Sequence, residues 1–326
     1  MNTNLNYIIN TWNLSLIKNI DFKKTNIINI TGTPTLHLYL MMSDVTSTKY
    51  CCVLFDPIEN KLIDILYSRR KDLLDPYFSR KSREEKSVVK YFICDLNDTY
   101  RSTAYKYFSG ITVVADSFHV IKNLSDAFRQ VRIRVMKKHE EMRNETMEYW
   151  LLKKFHWMLK KSIDDVKKDH YEFRKWNMSL SKYQLLDYMM KVDETLTEAY
   201  YLKEAYRDFN RYNRIHSEDD RDIIRVKLNE FIKLFHTSSS PELRRFGVTL
   251  SNWQIEILNS FIYIDEWRLS NAKIENINGQ IKNLMAISYG FTNFERTRTR
   301  IIYTINKDYP FSIIKRYDSK QRKKKI

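Results

Sequence analysis

The chain has 326 residues, 56 Lys and Arg against 40 Asp and Glu for a net charge of +16, and 43% hydrophobic residues. That apolar content supports a packed core and excludes a disordered chain, and the lack of any run of about 18 apolar residues excludes a transmembrane helix. The positive excess points to a polyanionic partner, DNA or RNA before a membrane surface; AT-rich coding bias accounts for part of the lysine excess and explains the arginine clusters less well.

Three cysteines, Cys51, Cys52 and Cys94, form no CxxC pair, so no zinc site is expected and the thiols read as reduced, in a cytoplasmic protein. The first residues, MNTNLNYIINTW, lack the basic start and apolar core of a secretory leader.

Residues 48–66 read as two strands joined by a turn at Asp56-Pro57, with Cys51, Val53 and Phe55 on one face. Residues 69–86 read as a charged surface helix broken near Pro76. VVKYFICD (88–95) is a buried strand ending in an acid. Residues 97–108 form a helix with Tyr100, Ala104 and Phe108 on one side, ended by Gly110. ITVVAD (111–116) is a second strand ending in an acid, followed by a long basic helix, SFHVIKNLSDAFRQVRIRVMKK. Strand, helix, strand suggests parallel pairing in an α/β sheet, whose carboxyl edge is where sites form. A single strand-end acid more often caps a helix or sits in a turn.

Residues 120–260 read as all-helical, with loops near 177–181 and 237–241. Their aromatic stripes (Tyr149, Trp150, Phe155, Trp157, then Tyr200, Tyr201, Tyr206, Phe209) read as core rather than base-stacking platforms. Residues 270–303, SNAKIENINGQIKNLMAISYGFTNFERTRTRIIY, place Glu275, Asn278 and Lys282 on one helical face. A break at Gly290 and then Arg296, Arg298 and Arg300 follow. KRYDSKQRKKKI (315–326) is a basic tail able to contact phosphate.

Asp95, Asp116 and Glu275 are hard oxygen ligands of the kind Mg²⁺ or Mn²⁺ prefers, and carboxylates from a strand and a distant helix can hold two metals for phosphodiester chemistry. Their surroundings resemble a known family. Asp95 and Tyr100 match a strand–D–x–x–x–x–Y pattern, and Asp116, Phe118, His119 and Val120 match D–x–F–H–V. Ser270, Asn271, Glu275, Asn278, Ile281 and Lys282 match T/S–N–x–x–x–E–x–x–N–x–x–I–K, and Tyr289, Gly290, Phe291, Asn293 and Phe294 match Y–G–F–x–N–F. Over about residues 48–305 the chain resembles bacterial insertion-sequence transposases of the ISL-three type.

The resemblance implies an α/β fold: a ribonuclease H-like mixed sheet flanked by helices and interrupted by a large all-helical insertion. The core would take residues 45–120 and 263–312, the insertion 121–262 and a basic tail 313–326, with 1–44 atypical. It implies DNA as partner, a homo-oligomer on DNA, no membrane and no zinc, and a nucleoid-associated enzyme using Mg²⁺ or Mn²⁺. Asp95 and Glu275 would be metal ligands and catalytic, with Asp116 and His119 beside them and Asp116 a further candidate ligand. Lys282, Arg296, Arg298, Arg300 and Asn278 would contact DNA.

Two departures matter. The first catalytic acid belongs on the strand before TKYCCVLF, where family spacing lands in 36–45 near Tyr39; no I–D–E segment occurs there, and Asp44 and Asp56 are the nearest acids. Residues 1–40 contain no cysteine, so the family's zinc ribbon is missing from them. The expectation is a decayed copy whose first 44 residues come from another frame or a late start. The competing readings are a non-catalytic DNA-binding remnant and a ribonuclease H-like nuclease that uses Asp44 or Asp56.

Overall fold

The structure, a computed structural model, describes residues 27–34, 50–161, 170–174, 177–264, 266–287 and 293–307. Tyr39, Asp44, the Tyr289–Gly290–Phe291 segment and the basic tail lie outside them. The chain forms two compact units that alternate along the sequence. The first takes 1–92, 98–111 and 271–326, and the second takes 93–97 and 112–270.

In the first unit, β1 (Ile27–Pro34), β2 (Tyr50–Asp56), β3 (Lys61–Leu66) and the start of β4 (Tyr91–Cys94) are ordered β3-β2-β1-β4. β1 and β3 both run antiparallel to β2, with Thr31 opposite Val53 and Val53 opposite Ile65. The segment 36–45 lies outside the described residues, and among them the strand that precedes and pairs with β2 is Ile27–Pro34. It lies inside the stretch expected to be foreign to the fold, yet six register pairs tie it to β2. The Asp56-Pro57 turn is closed by the Asp56 carboxylate, which accepts from the amides of Ile58 (2.9 Å) and Glu59 (3.1 Å).

One side of β2 and β3 carries the core. Val53, Phe55, Leu62 and Ile65 pack with Ile274, Ile277, Ile281 and Met285 of the helix Ala272–Ile287 and with Ile301 of the helix Phe294–Ile305. The helical spacing of 274, 277, 281 and 285 makes a single apolar stripe, and burying it fixes which residues of that helix face outward. Beyond the second helix, the Asn306 side chain donates to Leu62 O (2.8 Å) and accepts from Leu62 N (2.9 Å). It thereby satisfies backbone groups that an edge strand leaves open.

Asp64, pointing inward from β3, is 1% exposed and meets Arg298, itself 7% exposed, at 2.5–2.6 Å. Burial pushes the Asp64 carboxyl up, and the Arg298 guanidinium opposes that shift. The Tyr77 phenol lies against the same carboxylate, and burial pushes its pKa up as well.

Residues 69–86 correct the expected break at Pro76. The helix Lys71–Ser79 runs through Pro76, and a separate turn, Arg83–Ser87, starts from a Ser82/Glu85 capping box. Leu74 and Phe78 are fully buried, and that packing offsets the hydrogen bond the proline cannot make. The helix Asp98–Tyr107 buries Tyr100, Ala104 and Phe108 as its spacing requires, and Gly110 follows with φ +70°.

In the second unit the end of β4 neighbours β5 (Thr112–Ala115). The helix Ser117–Lys138 follows, then Glu148–Lys154, Lys182–Lys191, Glu194–Tyr212, Glu218–Thr237, Pro241–Asn252 and Gln254–Asn259. This region is not all helix. β6 (His170–Phe173) and β7 (Met178–Ser181) form an antiparallel hairpin where helix and a loop were expected. Its turn holds Asn177 at φ +46°, a conformation asparagine tolerates, and Phe173 anchors it edge-on against Trp150 and Phe155. The aromatic stripe around Tyr206 is core: its ring lies 5.4–5.8 Å from Phe209, Phe231, Phe235 and Phe246. Tyr201, by contrast, is exposed. Gly247 lets two helices close up, since a Cβ there would lie 3.0 Å from the Phe235 Cβ.

Lys203 is 2% exposed, donates to Leu159 O (2.6 Å), pairs with Glu204 (2.8 Å) and sits over the Phe128 and Tyr200 rings. Burial lowers its pKa to about 8, with Glu204 opposing.

Arg298→Ala leaves the Asp64 charge buried without its partner and is expected to destabilise the fold by about 3–5 kcal/mol in urea unfolding. Asp64→Asn with Arg298→Met should recover most of that loss. For Lys203 the folded pKa lies below the unfolded one, so between about 8 and 10.5 the unfolded chain binds more protons and stability rises with pH. Wild type should therefore gain on the order of 2–3 kcal/mol relative to Lys203→Met across that window, read from unfolding curves at several pH values.

Candidate metal centre

Strand β4 ends at Cys94, and Asp95 follows; strand β5 ends at Ala115, and Asp116 follows. The two loops are tied by a hydrogen bond from the Asp116 amide to Cys94 O at 2.8 Å. Asn259, at the end of the helix Gln254–Asn259, donates to Val113 O at 2.8 Å and so holds strand β5.

Asp116 does two things. It is the N-cap of the helix Ser117–Lys138, where its carboxylate accepts from the His119 amide at 3.3 Å. The same oxygen lies 2.7 Å from His119 Nδ1. One helical turn thus folds the imidazole back over its own cap and fixes the ring. Asp95 approaches from the other loop, its Oδ1 3.1 Å from the same Nδ1. Asp116 is 1% exposed, whereas Asp95 and His119 keep about a fifth of their side-chain surface open to solvent. Phe118, 60% exposed, stands edge-on to the His119 ring.

Among the described residues this is the one group of three side chains with metal-ligand geometry. One ligand atom from each of Asp95, Asp116 and His119 lies within 4.8 Å of the others. Ligands in an octahedral Mg²⁺ shell, at about 2.1 Å from the ion, are about 3–4.2 Å apart, so small side-chain movements would let all three reach one cation. The charge balance points the same way, since two carboxylates facing one nitrogen call for a positive charge, from an imidazolium or a metal. The two carboxylates suit Mg²⁺ or Mn²⁺ and the imidazole suits ions such as Zn²⁺ or Fe²⁺, so the donor set fits a divalent cation without selecting one.

The family resemblance put Asp116 and His119 in one signature beside Asp95, and the structure brings ligand atoms of all three within 4.8 Å of one another. Glu275 is exposed in the first turn of the helix Ala272–Ile287 and belongs to the first unit. Lys282 is exposed on that helix, while Asn278 is 5% exposed and faces inward. The three arginines divide. Arg296 and Arg300 are exposed. Arg298, expected among the DNA contacts, turns inward onto Asp64 and also meets Glu295 at 3.3 Å. The reason is helical geometry: a two-residue spacing places the middle residue about 180° from the mean direction of the others, on the buried side with Ile301. Asn293, within the expected Y–G–F–x–N–F pattern, is the N-cap of this helix and accepts from Arg296 N at 3.0 Å.

Sequence reasoning missed the Asp64–Arg298 pair and the Asn306 clamp. The pair had a signal: the strand KLIDIL puts an acid amid apolar neighbours, and a buried acid calls for a partner. The clamp had none, because Asn306 lies 244 residues from Leu62.

A family model of DDE transposases of the ISL-three insertion-sequence type, described as transposase, matches residues 41–301. No curated protein and no solved structure matches the chain.

Asp116→Ala should remove about 1 kcal/mol of helix capping, seen as a lower melting temperature, whereas Asp116→Asn keeps the cap. Both variants, and Asp95→Ala, are expected to weaken Mn²⁺ binding at least tenfold by electron paramagnetic resonance titration.

Proposed function

Because the chain belongs to the ISL-three family of DDE transposases, we propose that it acts on insertion-sequence DNA by divalent-metal-dependent cleavage and strand transfer on a ribonuclease H-like core. The observation that carries this reading is the Asp95–Asp116–His119 cluster at the ends of adjacent strands. The order β3-β2-β1 with β4 beside β1 supports the fold assignment.

Asp95 and Asp116 would hold the cation, with His119 as third ligand or as the proton carrier that relaxes their mutual repulsion. A bound Mg²⁺ or Mn²⁺ supplies charge stabilisation at phosphoryl oxygens and a more acidic bound water. The His119 ring is held by the Asp116 cap, so any proton at Nδ1 is shared between two carboxylates and stays oriented. Glu275, exposed at the start of its helix, is the further acid that the family pattern assigns. Lys282, Arg296 and Arg300 present positive charge to phosphate, while Arg298, buried on Asp64, holds the helix that carries two of them, and Asn278 is buried rather than presented to DNA.

The same residues support a defective copy. β1, IINITGTP, has no carboxylate, although it is the strand beside β4 where the first acid of such a core belongs. Asp56 is committed to closing its turn and Asp64 to Arg298. With one acid short, positioning and charge stabilisation at a second metal are lost, and these are most of this chemistry. This favours, as the second reading, a protein that binds DNA without efficient cleavage.

A Mn²⁺-dependent nicking and strand-transfer assay on the element's terminal repeats separates the readings. If wild type is active, Glu275→Ala should cut the rate by at least a hundredfold while Asp56→Ala leaves it unchanged. Equal rates for wild type and Glu275→Ala would remove Glu275 from the site. Salt-dependent DNA binding without product supports the second reading. In that assay each of Lys282→Ala, Arg296→Ala and Arg300→Ala should lower the salt slope by about one.

A further inference from the structure

The first unit contains a cleft of about 650 Å³ between the end of β3, the helix Lys71–Ser79 with the turn after it, and the helix Phe294–Ile305. That volume is typical of sites for small organic ligands, which run about 300–1,000 Å³. It contains none of the residues assigned to cleavage.

Its lining is unusual for a crevice in a surface this basic. Three aromatic rings line it: Tyr67, Tyr77 and Phe294. Tyr67 and Phe294 meet at 85° with centroids 5.2 Å apart, so each leaves ring surface uncovered by the other. The lining charges are three cations and three carboxylates, so the cleft is neutral within a chain of net charge +16. The buried Asp64–Arg298 pair closes the floor, and the exposed Glu295 at the rim is an acceptor. Arg80 lines the cleft and is exposed.

A neutral slot with rings on its walls and a donor (Arg80) and an acceptor (Glu295) at its rim suits a flat heteroaromatic ligand better than a phosphate. An anion would meet as many carboxylates as cations there. We infer that this cleft receives an unstacked nucleobase of bound DNA, with Phe294 stacking on its face, Tyr67, nearly perpendicular to Phe294, meeting its edge, and Arg80 meeting the adjoining phosphate. The inference rests on the DNA-binding reading above and adds to it a base-holding site remote in sequence from Asp95 and Asp116. Stacking of one base on an aromatic side chain contributes about 1–3 kcal/mol, about 5- to 150-fold in affinity.

The test uses the full chain and a single-stranded oligonucleotide carrying one 2-aminopurine and a terminal dye. Dye anisotropy reports total binding, and 2-aminopurine fluorescence reports whether the base is stacked in a protein pocket. The expected result is a large change in 2-aminopurine emission on binding, reduced at least fivefold in Phe294→Ala. Phe294 also touches the core, so two surface variants guard against misfolding. Leu73→Glu, at an exposed position on the cleft wall, and Arg80→Ala should also reduce the emission change while melting temperature holds. Binding by anisotropy with no emission change, or a change that all three variants retain, overturns the cleft and leaves the DNA reading standing. Absence of anisotropy change overturns both.

Discussion

The Asp116 carboxylate is the constraint from which the candidate centre follows. It is almost wholly buried at the point where β5 becomes a helix, and it closes that helix by accepting from the His119 amide. The same group holds the imidazole of His119. A residue that caps a helix cannot drift, so the ring that it holds cannot drift either. Asp95 needs only to arrive at the end of the neighbouring strand, and the backbone bond from Asp116 to Cys94 brings it there. Capping and ligand positioning are one interaction at this junction, and its loss should disturb stability and metal binding together.

A comparable economy holds in the first unit. The helix Ala272–Ile287 is fixed by its buried stripe of Ile274, Ile277, Ile281 and Met285, and that stripe decides that Glu275 and Lys282 face outward while Asn278 faces inward. The following helix is fixed by a charge. Arg298 reaches Asp64, and Asn306 closes on the Leu62 backbone. A buried ion pair contributes little net stability against an apolar replacement, but it fixes register because either charge alone is costly. The pair therefore sets the rotation of the helix that presents Arg296 and Arg300, and it forms the floor of the aromatic cleft.

Much of the centre was legible in the sequence because its signals are local. The strand runs ending in Asp95 and Asp116, the D–x–F–H–V spacing and the apolar stripe before the three arginines are each read from neighbouring residues. Even so, local spacing misled where a tertiary contact competed. Pro76 does not break its helix because Leu74 and Phe78 are buried. His170–Phe173 and Met178–Ser181 pair as strands because Phe173 finds the Trp150 and Phe155 rings. Arg298 leaves its neighbours because Asp64, 234 residues away, lies under it.

The sequence by itself determined the family, the strand-end acids, the helix bearing Glu275 and the lack of an acid in IINITGTP, since each is a matter of residue type and near-neighbour spacing. The tertiary structure alone decided which strand precedes β2, that Asp95, Asp116 and His119 share one small volume, and which cations are spent on internal partners. Those outcomes depend on contacts between residues far apart in the chain. Their free energies come from burial and charge pairing, which periodicity does not encode.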